Sequence, residues 1–76
     1  MADTVLIVDD EAVNRALLEA ILTEAGYEVQ QAEGGEAALV QATSQPPDLI
    51  LLDLMMPGMS GFEVCRRLKQ DPATSA

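Results

Sequence analysis

The chain has 76 residues, of which 13 are acidic, 4 are basic and none is histidine, so its formal net charge is −9. This length allows one small domain, and the shortage of Lys and Arg argues against direct binding to nucleic acid, whose phosphates need cationic partners. One cysteine and no histidine exclude an internal disulfide, catalytic triads and most zinc sites. The sequence contains no recognisable signal peptide or membrane span, which favours a cytoplasmic protein that does not contact a membrane.

Six elements are predicted in chain order. Residues 5–8 form an apolar strand, residues 11 to about 25 a helix that ends before Gly26, and residues 27–32 a weaker strand. Residues 36–42 then form an Ala-rich helix, residues 49–52 a second aliphatic strand, and a third helix begins at Ser60-Gly61 with a capping box to Glu63. Inward-facing side chains are expected in each helix: Val13, Ala16, Leu17, Ala20 and Ile21, with Leu18 and Leu22 widening that stripe; Leu39 and Val40; Phe62, Cys65 and Leu68.

The alternation of strands and helices predicts an α/β fold, a doubly wound parallel sheet of β-α-β-α-β-α order. Right-handed crossovers place the first strand in the middle, which gives the strand order 2-1-3. The third strand is apolar on both faces, yet it would lie at an edge with no further strand to pair with it. An exposed apolar edge invites association with another chain, so a homodimer or another edge-strand association is expected.

Both aliphatic strands end in aspartate, the first in Asp9-Asp10 and the third in Asp53. If these strands are parallel neighbours, their carboxyl ends lie about 4.8 Å apart, at the edge where open α/β sheets bind ligands. Three carboxylates brought together repel one another unless a cation binds among them. Taken singly, Asp9 or Asp10 could cap the first helix and Asp53 could be a turn residue, but their joint pattern favours a site.

These residues resemble the receiver domain of two-component response regulators. The resemblance is carried by Val-Leu-Ile-Val-Asp-Asp-Glu at residues 5–11 and by Leu-Ile-Leu-Leu-Asp-Leu-Met-Met-Pro-Gly-Met-Ser-Gly at residues 49–61, with Gly26-Tyr27 and Gly35 between them. It covers the whole chain and implies a flavodoxin-like fold. A complete receiver continues through two more strand–helix pairs, so residues 1–76 are expected to be a partial receiver domain that lacks the carboxyl-terminal strands and helices.

The resemblance also implies roles for individual residues. Asp53 is expected to accept the phosphoryl group, and Mg²⁺ (or Mn²⁺) is expected to be bound by Asp9, Asp10, Asp53 and the backbone carbonyl of Met55. The expected partner is a sensor histidine kinase or a phosphotransfer protein. The chain is not expected to be an enzyme beyond self-catalysed phosphoryl transfer to and from Asp53.

The main functional hypothesis is therefore a receiver in a two-component phosphorelay that accepts a phosphoryl group on Asp53. The alternative is a phosphorylation-silent interaction or dimerisation unit that another chain completes. A hydrolase that works through an aspartyl phosphate starts from the same carboxylates, but it would also need an acid/base residue and a substrate lid, for which the sequence offers no candidate.

Overall fold

In the computed structural model, which describes residues 3–53, 58 and 60–70, strands and helices alternate along the chain. The aliphatic runs form strands because branched side chains favour extended backbone and pack well on both faces of a sheet. The elements are β1 (Thr4–Val8), α1 (Ala12–Glu24), β2 (Glu28–Ala32), α2 (Gly35–Ser44), β3 (Leu49–Leu52) and α3 (Gly61–Gln70). Every predicted element is present, and the bounds of β3 are those predicted.

The three strands form one parallel sheet in the order β2-β1-β3. In register, Val8 at the end of β1 lies beside Ala32 of β2 on one side and beside Leu52 of β3 on the other. The predicted 2-1-3 order is therefore confirmed, and all three strands end at the same edge of the sheet. This is the arrangement of a flavodoxin-like, doubly wound fold.

The main core lies between the sheet and the helix pair α2 and α3. Leu6 and Val8 of β1 point into it and are fully buried, whereas Val5 and Ile7 alternate onto the face that carries α1. Small residues of α2 allow that helix to approach the sheet closely. The buried cluster consists of Leu6, Val8, Ala32, Ala38, Ala42, Val64 and Leu68.

The other face of the sheet carries only α1 among the described elements, and its packing differs from the prediction. The stripe expected to face inward is exposed: Val13, Leu17 and Ile21 are 77%, 60% and 57% accessible. Leu18 and Leu22, which were predicted to widen this stripe, are the half-buried apolar positions of the helix. Apolar residues surround most of this helix, so periodicity indicates a helix but cannot select which side meets the sheet. We call Val13, Leu17 and Ile21 the α1 stripe.

Packing of the other two helices also departs from the prediction in part. Val40 and Phe62 were expected inside, but they are 67% and 68% exposed. Val64, one position away from the predicted Cys65, is fully buried, and Cys65 itself is half-buried. Leu68 is buried as predicted. Because Val64 is buried in place of Cys65, the buried face of α3 is rotated relative to the predicted one.

Two local predictions about helix ends are supported. Gly26 follows α1 with a φ of 99°, the left-handed conformation that glycine adopts without a Cβ clash. The Ser60 hydroxyl accepts a hydrogen bond from the Glu63 backbone N–H at 3.3 Å, which is one half of the expected capping box. Within the described part of the chain, no helix has the length and apolarity needed to cross a membrane.

Candidate metal centre

The sheet positions two acidic residues side by side. Because Val8 and Leu52 are register partners, the residues that follow them, Asp9 and Asp53, leave adjacent strands at the same level. The Asp53 backbone N–H donates to the Val8 carbonyl at 2.9 Å, and the Asp9 N–H donates to the Ala32 carbonyl at 3.2 Å. Hydrogen bonding thus extends beyond the strand ends and fixes the main chain under both carboxylates.

The carboxylates of Asp9, Asp10 and Asp53 come together at this edge. One oxygen from each lies within 4.8 Å of the others, as the parallel pairing of their strands predicts. Asp9 and Asp53 are half-buried and Asp10 is exposed. Three negative charges at such distances repel one another. Because Asp10 is exposed, an ion can approach the cluster from solvent.

Asp9 has a second structural task. Its Oδ1 accepts a hydrogen bond from the Glu11 backbone N–H at 2.9 Å, a local turn that Asp side chains favour. The N-cap of α1 is Glu11, which makes no side-chain capping bond. The alternative that Asp9 or Asp10 is itself the N-cap is therefore not realised; Asp9 shapes the turn that leads into the helix instead.

The sequence did not reveal one residue that touches this turn. Arg15, on α1, is half-buried and donates from Nη1 to the Asp9 carbonyl oxygen at 2.7 Å. Helical periodicity placed Arg15 off the apolar stripe. The only available signal was compositional, since Arg15 is the sole basic residue before residue 66.

Open space adjoins the carboxylates on two sides. A cleft of about 550 Å³ lies next to Asp10 and is bordered by the start of α2, including Glu36, and by Glu33, which precedes that helix. A second groove of about 450 Å³ between α1 and β3 reaches Asp9 and Asp53. The carboxylates are therefore accessible to a ligand larger than an ion.

The donor set fits a hard divalent cation. Mg²⁺ prefers carboxylate oxygens and waters, and two oxygens on opposite sides of one Mg²⁺ are about 4.2 Å apart. The separations of up to 4.8 Å require only a small side-chain adjustment or one bridging water. Asp9, Asp10 and Asp53 would hold the ion; Met55, the fourth predicted ligand, lies outside the described residues.

Fold and site together define a doubly wound α/β domain with an acidic cluster at the carboxyl edge of its parallel sheet. Comparison with known proteins agrees in detail: the family model for the response regulator receiver domain matches residues 5–76. The chain belongs to this family, the receiver domains of two-component systems.

Individual relatives support the assignment. The response regulator PleD of Caulobacter vibrioides is 55% identical over 74 residues, which are 97% of this chain and 16% of PleD. The solved N-terminal domain of a receiver protein from Methanoculleus marisnigri has a TM-score of 0.94 at 40% identity, over 97% of this chain and 60% of that one. TrrA of Thermotoga maritima, solved in complex with Mg²⁺-BeF, has a TM-score of 0.86 at 46% identity, over 90% and 59%.

This chain therefore spans about 60% of the solved receivers that it matches and less than a fifth of PleD. The interpretation of residues 1–76 as a partial receiver domain stays a prediction.

Proposed function

We propose that this chain accepts a phosphoryl group on Asp53 in a two-component phosphorelay, with Mg²⁺ (or Mn²⁺) held by Asp9, Asp10 and Asp53. The observation that carries the proposal is the convergence of the three carboxylates within 4.8 Å at the carboxyl edge of the sheet. The solved complex of TrrA with Mg²⁺-BeF supports it, because TrrA is 46% identical to this chain.

The chemistry follows from the residue types. A carboxylate oxygen of Asp53 attacks the phosphorus of the donor, the bond between phosphorus and the donor's nitrogen or oxygen breaks, and the donor leaves with that electron pair. When bound, the divalent cation would supply the positive charge that lets an anionic phosphoryl group approach an anionic site. Asp9 and Asp10 would hold that cation beside Asp53, and the hydrogen bond from the Asp53 N–H to the Val8 carbonyl fixes the backbone of the nucleophile.

The donor is proposed to be a histidine kinase phosphohistidine or a phosphotransfer protein, in the cytoplasm. The chain is not an enzyme that acts on a separate substrate; its activity would be limited to phosphoryl transfer to and from Asp53. The acidic residues Glu33 and Glu36 beside Asp10 favour binding of a donor protein with basic residues around its phosphohistidine.

Phosphorylation of Asp53 is tested by incubating the chain with phosphoramidate and Mg²⁺ and weighing it by intact-mass spectrometry. We expect the mass to increase by one phosphoryl group, with the adduct removed by hydroxylamine, as for an acyl phosphate. Asp53→Asn should show no adduct, because an amide is a poor nucleophile, and EDTA should prevent labelling of the native chain.

Asp3→Asn is the matched control, because it removes the same charge from an exposed residue at the opposite edge of the sheet, and it should label like the native chain. Circular dichroism confirms that all variants are folded. An Asp53→Asn variant that labels normally, or a folded native chain that never labels, contradicts the proposal.

A second candidate function is an interaction unit that pairs with another copy. Two exposed apolar surfaces favour it: the α1 stripe, and the edge strand β3, where Leu49 is 54% accessible. Parallel or antiparallel pairing of two β3 edges would add hydrogen bonds between the strands and cover Leu49.

Self-association of this kind should depend on salt in an unusual direction. Two copies of a chain with charge −9 repel each other, and the Debye length falls from about 30 Å at 0.01 M to about 8 Å at 0.15 M ionic strength. We therefore expect sedimentation velocity to show more dimer at the higher ionic strength.

Leu49→Lys places a charge on the β3 edge and should abolish the dimer, whereas Val40→Lys, at a still more exposed position on α2, should not. A native chain that sediments as a monomer at all concentrations and salt levels would exclude this second candidate.

A further inference from the structure

Arg15 links three elements at the acidic edge of the sheet. Its Nη1 donates to the main-chain oxygen of Asp9 at 2.7 Å, and its Nε donates to Oε1 of Gln31 on β2 at 3.2 Å. Gln31 is held in turn, because its Nε2 donates to Oε2 of Glu19 on α1 at 2.6 Å. The guanidinium is therefore fixed at two of its nitrogens, and its orienting partner is fixed as well.

The Asp9 carbonyl is an unusual target for such an anchor. It belongs to the peptide unit that connects Asp9 to Asp10, and this unit is planar. Fixing the direction of the carbonyl therefore fixes the plane from which Asp10 continues. The Asp9 N–H donates to the Ala32 carbonyl, so both main-chain polar groups of Asp9 are hydrogen-bonded. One oxygen of its side-chain carboxylate also accepts a hydrogen bond from the Glu11 N–H.

We propose that Arg15 is a positioning residue for the candidate metal centre. It holds the Asp9–Asp10 peptide so that the Asp10 carboxylate stays beside Asp9 and Asp53 before a cation arrives, in spite of their mutual repulsion. Hydrogen bonds from a charged donor are stronger than neutral ones, and the rigid fork of arginine fixes direction as well as distance. The inference rests on the proposed function, because it concerns binding of the same divalent cation.

Charge alone makes the opposite prediction. If Arg15 acted only as a positive charge near the carboxylates, it would repel Mg²⁺, and its removal would strengthen binding. If it positions the peptide, its removal weakens binding, and lysine, which keeps the charge but has no fork, restores little. The sign of the change therefore separates the two roles.

The test is a titration with MgCl₂ that is monitored through the chemical shifts of amides near Asp10. It compares four proteins: the native chain, Arg15→Met, Arg15→Lys and Arg67→Met. Loss of groups that orient metal ligands typically lowers affinity about 10–100-fold, so we expect about 10-fold weaker binding for Arg15→Met and nearly as much for Arg15→Lys. Arg67→Met makes the same change in charge on the exposed face of α3 and should leave affinity unchanged.

A second measurement separates positioning from general loss of stability. Mg²⁺ demands small, near-octahedral geometry, whereas Ca²⁺ accepts looser and longer contacts. Arg15→Met should therefore lose more affinity for Mg²⁺ than for Ca²⁺, and global destabilisation would not change this ratio. Gln31→Met keeps Arg15 but removes its hydrogen-bond partner, so it should show the same loss of preference for Mg²⁺ to a smaller extent. This variant also provides the test if Arg15→Met does not fold.

The outcomes are distinct. If the native chain binds Mg²⁺, and Arg15→Met and Gln31→Met bind it equally well or better, the positioning role is overturned. The proposed function is left intact by that result. Native chain that is folded and binds no divalent cation would overturn both. Weaker binding in both variants, with a reduced preference for Mg²⁺ and a normal Arg67→Met control, supports the assignment.

Discussion

Asp10→Asn is expected to abolish Mg²⁺ binding and, in metal-free buffer, to raise the thermal midpoint of the chain. Two like charges about 5 Å apart repel by about 1 kcal/mol in water, and Asp10 is an exposed member of a cluster whose oxygens lie within 4.8 Å of one another. Relief of about 1 kcal/mol raises the midpoint of a domain of this size by about 4–8 °C. Asparagine keeps the shape of the side chain, so the gain reflects the charge.

Added Mg²⁺ should reverse the order of the two proteins. A ligand at 100 times its dissociation constant stabilises the folded state by about 2.7 kcal/mol, which exceeds the repulsion that Asp10→Asn removes. The native chain should therefore melt above the variant at high Mg²⁺ and below it in EDTA. Thermal unfolding across a MgCl₂ series measures both ends of the crossing.

Glu28→Gln is the control for this experiment. It removes one negative charge from an exposed residue at the start of β2, at the edge of the sheet opposite to the carboxylates. The net charge changes equally, but the Mg²⁺ dependence should be that of the native chain. Curves for native chain and Asp10→Asn that stay parallel at all Mg²⁺ concentrations would contradict an ion at this cluster.

The carboxylate cluster could be predicted because only a few physical rules are needed to derive it from the sequence. Aliphatic runs bounded by acidic residues determine where β1 and β3 end, and right-handed crossovers make the two strands neighbours. Adjacent ends of parallel strands then bring Asp9, Asp10 and Asp53 to one edge. Each step depends only on chain order and backbone geometry, and no step requires knowledge of side-chain packing.

The Arg15 network could not be predicted in this way. Hydrogen bonds between Arg15 and Gln31, or between Gln31 and Glu19, join residues 16 and 12 positions apart and leave no periodic trace in the sequence. The orientation of α1 was missed for a related reason. Where a helix is apolar on several sides, the neighbouring elements decide which side is buried, and local periodicity contains no information about those neighbours.

Leu6→Ala is expected to remove a large part of the free energy of unfolding. Leu6 is fully buried at the centre of the cluster between the sheet and the helix pair α2 and α3, and such a truncation costs about 2–5 kcal/mol because it leaves a cavity. A chain of this length has a total stability of about 4–11 kcal/mol. Urea denaturation should therefore show a much lower midpoint, or a chain that is largely unfolded without urea.

Leu17→Ala is the matched control for this experiment, and it also tests whether the α1 stripe is covered in solution. The side chain loses the same atoms, but Leu17 is 60% accessible, and surface substitutions usually change stability by less than about 0.5 kcal/mol. If Leu17→Ala instead costs as much as Leu6→Ala, the α1 stripe is buried against another surface. A cost that falls on dilution would identify that surface as a second copy, because dissociation exposes Leu17 before the chain unfolds, whereas the cost of Leu6→Ala should not change with concentration.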